Sequence, residues 1–243
     1  MEAIFTLLIP ITFVLLLVLE RLFPAREQPK IRFWLVRGIA FFVATAAISS
    51  LPAALVASAL APYAPLHLDG LPTAVAGLIG IVVTDLVSYV VHRVQHNWRW
   101  LWRWTHQMHH AAERVDVAGS AIFHPFELVM FAVITSFIAV MLGLSPAAAA
   151  LAGLFGAVTG MFSHLNIRTP RWLGYIIQRP EAHSIHHARG VHAYNYGNLT
   201  VWDLALGTFR NPASFAGEAG FWNGASNKFL SMLVGRDVAE PTR

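Results

Sequence analysis

Long apolar stretches alternate with short polar ones along this chain. Five runs stand out: Ala3 to Leu19, Gly38 to Ala61, Leu71 to Val91, Leu128 to Leu144 and Ala147 to Ser163. Each approaches or reaches the ~20 residues that a helix needs to cross the hydrocarbon core of a bilayer. Pro52 lies inside the second run, and Asp85 is the one charge in the third. A Gly-Leu-Ser-Pro link joins the last two, which read as two spans, with a shallow re-entrant hairpin as the alternative. The pattern predicts an all-α fold, a polytopic membrane helix bundle of about four to five spans. The first run follows Met-Glu, with no basic segment and no small-residue cleavage site, so it reads as an anchor rather than a signal peptide.

Composition agrees with a membrane protein: 56% of residues are hydrophobic and only 12% charged, against roughly a quarter charged in soluble domains. There is no cysteine, which excludes disulfides, thiolate zinc sites, iron–sulfur clusters and a thiol nucleophile. The net charge of +4 would suit nucleic acid, but its placement argues otherwise. All 17 Lys and Arg residues follow spans one, three or five. With five spans those regions share one side, and the positive-inside rule makes that side cytoplasmic. The expected topology is N-out, C-in, with orientation rather than nucleic acid explaining the basic charge. Small size and the lack of an ER-retrieval signal favour a bacterial inner membrane. Residues 1–84 read as transmembrane anchor helices, 85–210 as the catalytic domain, and 211–243, rich in Gly, Ser and Asn, as a loosely ordered tail.

Of 12 histidines, only His67 lies in an outer loop, and it is given no functional role. Asp85, Tyr89, His92 and His96 follow one another at steps of four, three and four, so all four share a helix face. The face runs out of span three and leaves His92 and His96 placed to hold one metal. Asp85 lies about two turns deeper, where an ionisable group usually has a partner or a function. The word His-x-x-His-His then occurs twice, as His106, His109, His110 and as His183, His186, His187. Each triplet lines one face if its segment is helical. His124, His164 and His192 could join them. Isolated histidines are commonly hydrogen-bonded core residues, but eight in three clusters on one side of a membrane point to metal.

Eight or more imidazoles exceed the four to six ligands of one ion, so two metals are indicated, in a cytoplasmic histidine-rich cap. Imidazole suits iron, zinc, copper or nickel. Redox iron and zinc both fit, and spacing does not separate them. There is no His-Glu-x-x-His metalloprotease helix, no Glu-x-x-His of carboxylate di-iron bundles, and no dinucleotide or phosphate loop. Any nicotinamide would therefore act through a separate reductase. A zinc-dependent membrane hydrolase and a non-enzymatic metal or haem protein stay open at this point. Trp98, Trp100, Trp102 and Trp104 read as an interfacial aromatic belt.

The stretches DLVSYVVHRVQH, WRWTHQMHH, FHPFE, FSHLN and PEAHSIHHARGVHAYNYGNLTVWDLALGTF resemble the fatty acid hydroxylase / sterol desaturase superfamily, integral membrane enzymes with histidine-rich di-iron centres. The likeness runs from about Asp85 to Phe209. It implies two iron ions, with zinc possible in isolated protein, and O2 as co-substrate. It implies a lipid taken from the bilayer and hydroxylated or desaturated at an unactivated C–H, hydroxylation being slightly preferred. Electrons would come from a ferredoxin, a b-type cytochrome or an NAD(P)H reductase. His92, His96, His106, His109, His110, His183, His186 and His187 match the family's ligands, and His164 a further one. His124 is a ligand or a support, and His192 a support or a substrate-side residue. Asn195 and Asp203 are expected to orient ligand imidazoles, with Tyr89 and Asp85 doing the same from beneath.

Overall fold

The computed structural model describes residues 1–240; Arg243, one of the basic residues counted above, lies outside them. Five long helices carry the five apolar runs: α1 (Glu2–Leu22), α2 (Trp34–Leu60), α3 (Thr73–Asn97), α4 (Pro125–Met141) and α5 (Pro146–His164). Four of the apolar helices are long enough to cross a membrane; α4, with 17 residues, is shorter. At 1.5 Å per residue α4 covers about 25 Å, less than the ~30 Å hydrocarbon core. The run expected to reach Leu144 stops at Met141 because a turn intervenes. Gly143 adopts φ +59° with its backbone against that of Leu66, a conformation and an approach that disfavour any side chain. Ser145 then caps α5 by accepting a hydrogen bond from the Ala148 amide (3.3 Å), with Pro146 in the first turn.

This turn sits against the loop between α2 and α3, where the Leu68 amide donates to the Leu142 carbonyl (3.1 Å). Both loops therefore lie at one end of the bundle. His92 and His96 at the end of α3, and His164 at the end of α5, lie at the other. α2 packs on α4, and α5 packs on both α3 and α1. Outward-facing side chains such as Leu7, Val36, Leu55 and Leu78 are exposed, as suits helices solvated by lipid.

Beyond α3 the chain forms the cap. A π-helical turn (Trp102–His106) leads into a short helix (Gln107–His110). Residues that follow are buried in an apolar cluster with Trp34, Met108, Phe221, Ala225 and Met232. The segment after Asn211 has little regular structure, as its composition suggests, yet it is packed rather than loose. Met232 and Ala225 are buried, the Glu113 carboxylate accepts from the Gly224 amide (2.7 Å), and the Gly235 carbonyl accepts from Arg103 (2.8 Å). Sparse apolar residues there are concentrated on the cap, which composition alone does not reveal.

Candidate metal centre

Nine histidines gather at the cap end of the bundle in two groups. His92, His96, His106, His110 and His186 form one; His109, His164, His183 and His187 form the other. Within each group the ligand-capable nitrogens all lie within 4.8 Å of one another. Each His-x-x-His-His word is divided between the groups. His106 and His110 enter the first while His109 enters the second; His183 and His187 enter the second while His186 enters the first. A helix turns about 100° per residue, so positions i+3 and i+4 flank position i and diverge by about 100° from each other. The triplets thus do not each present a single face to a single site. The second word sits on α6 (Pro180–His186), a seven-residue helix started by Pro180 and ended at His187.

Hydrogen bonds fix which nitrogen each ring offers. His109 Nδ1 lies 3.2 Å from the Ile122 carbonyl and His164 Nδ1 2.8 Å from the Gly160 carbonyl. Carbonyls only accept, so both rings carry their proton on Nδ1 and both Nε2 atoms are bare lone pairs. Those two lone pairs face each other at 3.0 Å. The first group repeats the device: His92 Nδ1 donates to the Tyr196 carbonyl (2.8 Å) and His186 Nδ1 to the Tyr194 carbonyl (2.7 Å), and His186 Nε2 has no protein partner. Facing lone pairs repel unless a cation lies between them, and about 3 Å is a spacing that nitrogens ~2.1 Å from a shared ion can adopt. Burial, reinforced by neighbouring imidazoles, pushes His106, His109, His110, His183, His186 and His187 well below the usual histidine range. They are neutral at pH 7, as ligands must be. The donor set fits two metal ions.

Glu127 is a supporting residue that sequence reading passed over, although FHPFE contains it. Its Oε1 accepts from His106 Nδ1 at 2.6 Å, and the carboxylate is 1% exposed. Gln95, between His92 and His96, donates to the same oxygen (3.1 Å). An acidic residue in the first turn of a helix is common enough that Glu127 carried no distinct signal. His124, beside it, is not in either group. Its Nδ1 accepts from the Phe126 amide (3.1 Å), capping α4, and its Nε2 faces the Leu233 carbonyl (3.4 Å). His192 Nδ1 meets His110 Nδ1 at 3.0 Å, so it supports a cluster histidine; burial lowers its pKa to about 4.

The four polar residues expected to hold imidazoles act one step removed. Asp203 accepts from the Tyr196 and Gly197 amides (both 2.9 Å) and from Thr208 (2.6 Å). Asp85 accepts from the Asn198 (3.2 Å) and Leu199 (2.9 Å) amides. Asn195 donates to the Ala182 carbonyl and accepts from the Arg210 amide (both 2.8 Å), and Tyr89 pairs with Thr208 (2.9 Å). Together they clamp the loop whose Tyr194 and Tyr196 carbonyls hold His186 and His92. That loop is bent through positive φ at His192, Tyr194 and Asn195, a region that non-glycine residues seldom occupy.

The imidazoles close one end of a slot of about 550 Å³. Its walls come from α2, α3, α4 and α5, and it runs from His106, His109 and His164 to Ala139 and Leu144 near the opposite end. Gly153, Gly156 and Gly160 line it, and a Cβ added to any of them would meet nothing within 4 Å. In membrane bundles glycines commonly let helices touch; these three leave space instead.

Four helices long and apolar enough to cross a bilayer, carrying two imidazole clusters suited to a metal pair, define an integral membrane protein with a histidine-box centre. Residues 77–208 match the family model described as Fatty acid hydroxylase, and the chain belongs to that family. It is similar to "Ornithine lipid hydroxylase OlsE" of Rhizobium tropici, with 31% identity over 172 residues, covering 68% of this chain and 51% of that one. The chain thus spans about half the length of that relative. No solved structure matches it.

Proposed function

We propose that this protein uses dioxygen to hydroxylate an unactivated C–H bond of a lipid drawn from the bilayer. The observation that carries the reading is the face-to-face pair of bare nitrogens, His109 Nε2 and His164 Nε2 at 3.0 Å, at the head of an apolar slot between the helices. The first histidine group would hold one iron and the second the other. When bound, such a pair supplies dioxygen activation with electrons from a separate donor. Family membership favours this chemistry over a zinc hydrolase, and the relative's name favours hydroxylation over desaturation.

The chain's own part is positional. The Tyr194 and Tyr196 carbonyls and Glu127 keep the Nδ1 protons of His186, His92 and His106 in place, which points their Nε2 lone pairs inward. The slot admits a lipid chain sideways from the membrane, excludes bulk water and brings one carbon towards the clusters. The basic residues lie on the cap side, so the positive-inside rule puts the centre in the cytoplasm with the N-terminus outside.

Purified protein should contain about two irons per chain, with a sharp fall in His186→Ala. Given a total bacterial lipid extract, a chemical reductant and heavy-isotope dioxygen, it should form a lipid carrying one labelled oxygen. A product lacking two hydrogens and carrying no label would make it a desaturase. Two zincs per chain and no oxygen-dependent product would overturn the oxygenase reading.

A further inference from the structure

We infer that part of the cap is seated inside the bilayer: the turn Arg171–Tyr175 and α7 (Thr200–Ala205) form a wedge whose outer face lies against the acyl chains of the cap-side leaflet. The depth of the wedge follows from α3. Its end residues, Thr73 and Asn97, are about 36 Å apart at 1.5 Å per residue, roughly 6 Å more than the hydrocarbon core is thick. Asp85 is the middle residue of that helix, about 18 Å from either end. Even with the whole excess on the cap side, it lies roughly 12 Å inside the hydrocarbon. Its carboxylate accepts from the Asn198 and Leu199 amides (3.2 and 2.9 Å), so the turn that leads into α7 is held at that depth. Irregular backbone is tolerated there only where the protein itself satisfies its polar groups. The same turn is tied on its other side as well: the Gln178 amide donates to the Asn198 carbonyl (2.8 Å) and the Thr200 amide to the Ile176 carbonyl (3.4 Å).

The outer face of the wedge suits lipid. Trp172, Tyr175, Ile176, Val201, Leu204 and Leu206 are 48% to 64% exposed. Residues 172–177 carry no charge, and the one charged residue in 199–209, Asp203, is fully buried. Arg171 precedes the first stretch and Arg210 follows the second, and both are exposed. Basic side chains at the ends of an apolar stretch are the usual anchors at headgroup level. The apolar face is also continuous with the lipid-facing side of α3: Leu206 shares a groove with Val90 and Val94, which are themselves exposed. On a water-facing cap the same side chains would form a contiguous apolar patch of the kind soluble surfaces avoid. On the inner side Gln178, Tyr196 and Asn198 line the slot. The wedge therefore stands between the slot and the lipid, and the cap is set into the leaflet rather than resting on it.

The chain has no cysteine, so single cysteines can be placed and spin-labelled without background. Ile176→Cys and Leu204→Cys sample the wedge, and Leu78→Cys samples an exposed apolar position of α3. Glu218→Cys samples the outer surface of the cap, where that side chain is 70% exposed. The full chain is reconstituted in nanodiscs of phosphatidylcholine and phosphatidylglycerol. Relaxation of each label by dissolved oxygen, which concentrates in lipid, is compared with relaxation by water-soluble chromium oxalate. Labels at 176 and 204 should resemble the one at 78: open to oxygen, and roughly tenfold less accessible to chromium oxalate than the label at 218. A label at 176 or 204 that chromium oxalate reaches as readily as it reaches 218 overturns the inference. So does one shielded from both relaxants, which is then packed against protein. Circular dichroism checks that each labelled variant is folded; Trp172→Cys or Val201→Cys, on the same face, replaces one that is not. The measurement involves neither turnover nor metal, so it answers independently of the reaction proposed above.

Discussion

Replacing Glu127 by Gln keeps the shape of the side chain and removes its charge. The Glu127–His106 contact is short, at 2.6 Å, and both partners are buried. A hydrogen bond to a charged group contributes about 1.5–3 kcal/mol, and one between neutral groups about 0.5–1.5. The difference, about 1–1.5 kcal/mol, converts to roughly tenfold at 1.36 kcal/mol per decade. A ligand imidazole whose acceptor is weakened is a poorer donor by that factor, within the 10–100-fold range usual for such supports. Glu127→Gln should therefore bind iron roughly tenfold more weakly, and Glu127→Ala, which leaves Nδ1 without its acceptor, closer to a hundredfold. Competition against a graded series of chelators reads the affinity directly, and circular dichroism checks that the helices persist. If Glu127→Gln holds iron as tightly as the wild type, the carboxylate does not support His106 as described.

Other expectations follow from the same geometry. Gly156→Leu puts a side chain into open slot, so iron content and thermal stability should hold while lipid turnover falls at least tenfold; retained turnover would remove the slot from the reaction. Asp203→Asn forces an amide nitrogen towards one of three donors, and should cost about 1–3 kcal/mol of stability in denaturant titration and loosen iron binding through the Tyr196 carbonyl. Metal-free protein should lose stability on acidification. The folded-state pKa values of His183, His186 and His187 are depressed by burial, so the unfolded chain binds more protons below its own value of about 6.5. The stability these groups contribute is full above pH 6.5 and drains away below it, continuing towards pH 4 for His192, whose folded value is about 4. A melting temperature that stays flat from pH 7 to about 5 would contradict this.

Much of the site was legible because histidine words are local. A helix repeats every 3.6 residues, so His92 and His96, or His106 and His110, announce a shared face without knowledge of the fold. His164 stood outside any box and came through resemblance. What the chain did not disclose is set at long range. The splitting of each triplet depends on what stands opposite it. The Tyr194 and Tyr196 carbonyls are backbone atoms, which every residue has. Asp85, Asn195 and Asp203 were expected to hold imidazoles directly, but their backbone partners are amides and carbonyls around a loop bent against ordinary preference. Glu127 and Gln95 looked like an ordinary helix start and an ordinary polar residue. The tail after Asn211 was misleading because order there comes from a few apolar contacts with the cap rather than from its own composition.

The division of each histidine word between two groups bears on how the centre would fill. Box His106 to His110 gives two rings to the first group and one to the second, and box His183 to His187 does the reverse. An ion entering either group must fix both boxes, and in doing so sets in place rings that belong to its neighbour. The ordering entropy is then met largely by the first ion, and the second arrives at a site already assembled. Loading becomes cooperative by construction: half-filled centres should be scarce at every iron concentration, and a metal lost from one group loosens its neighbour's hold on the other.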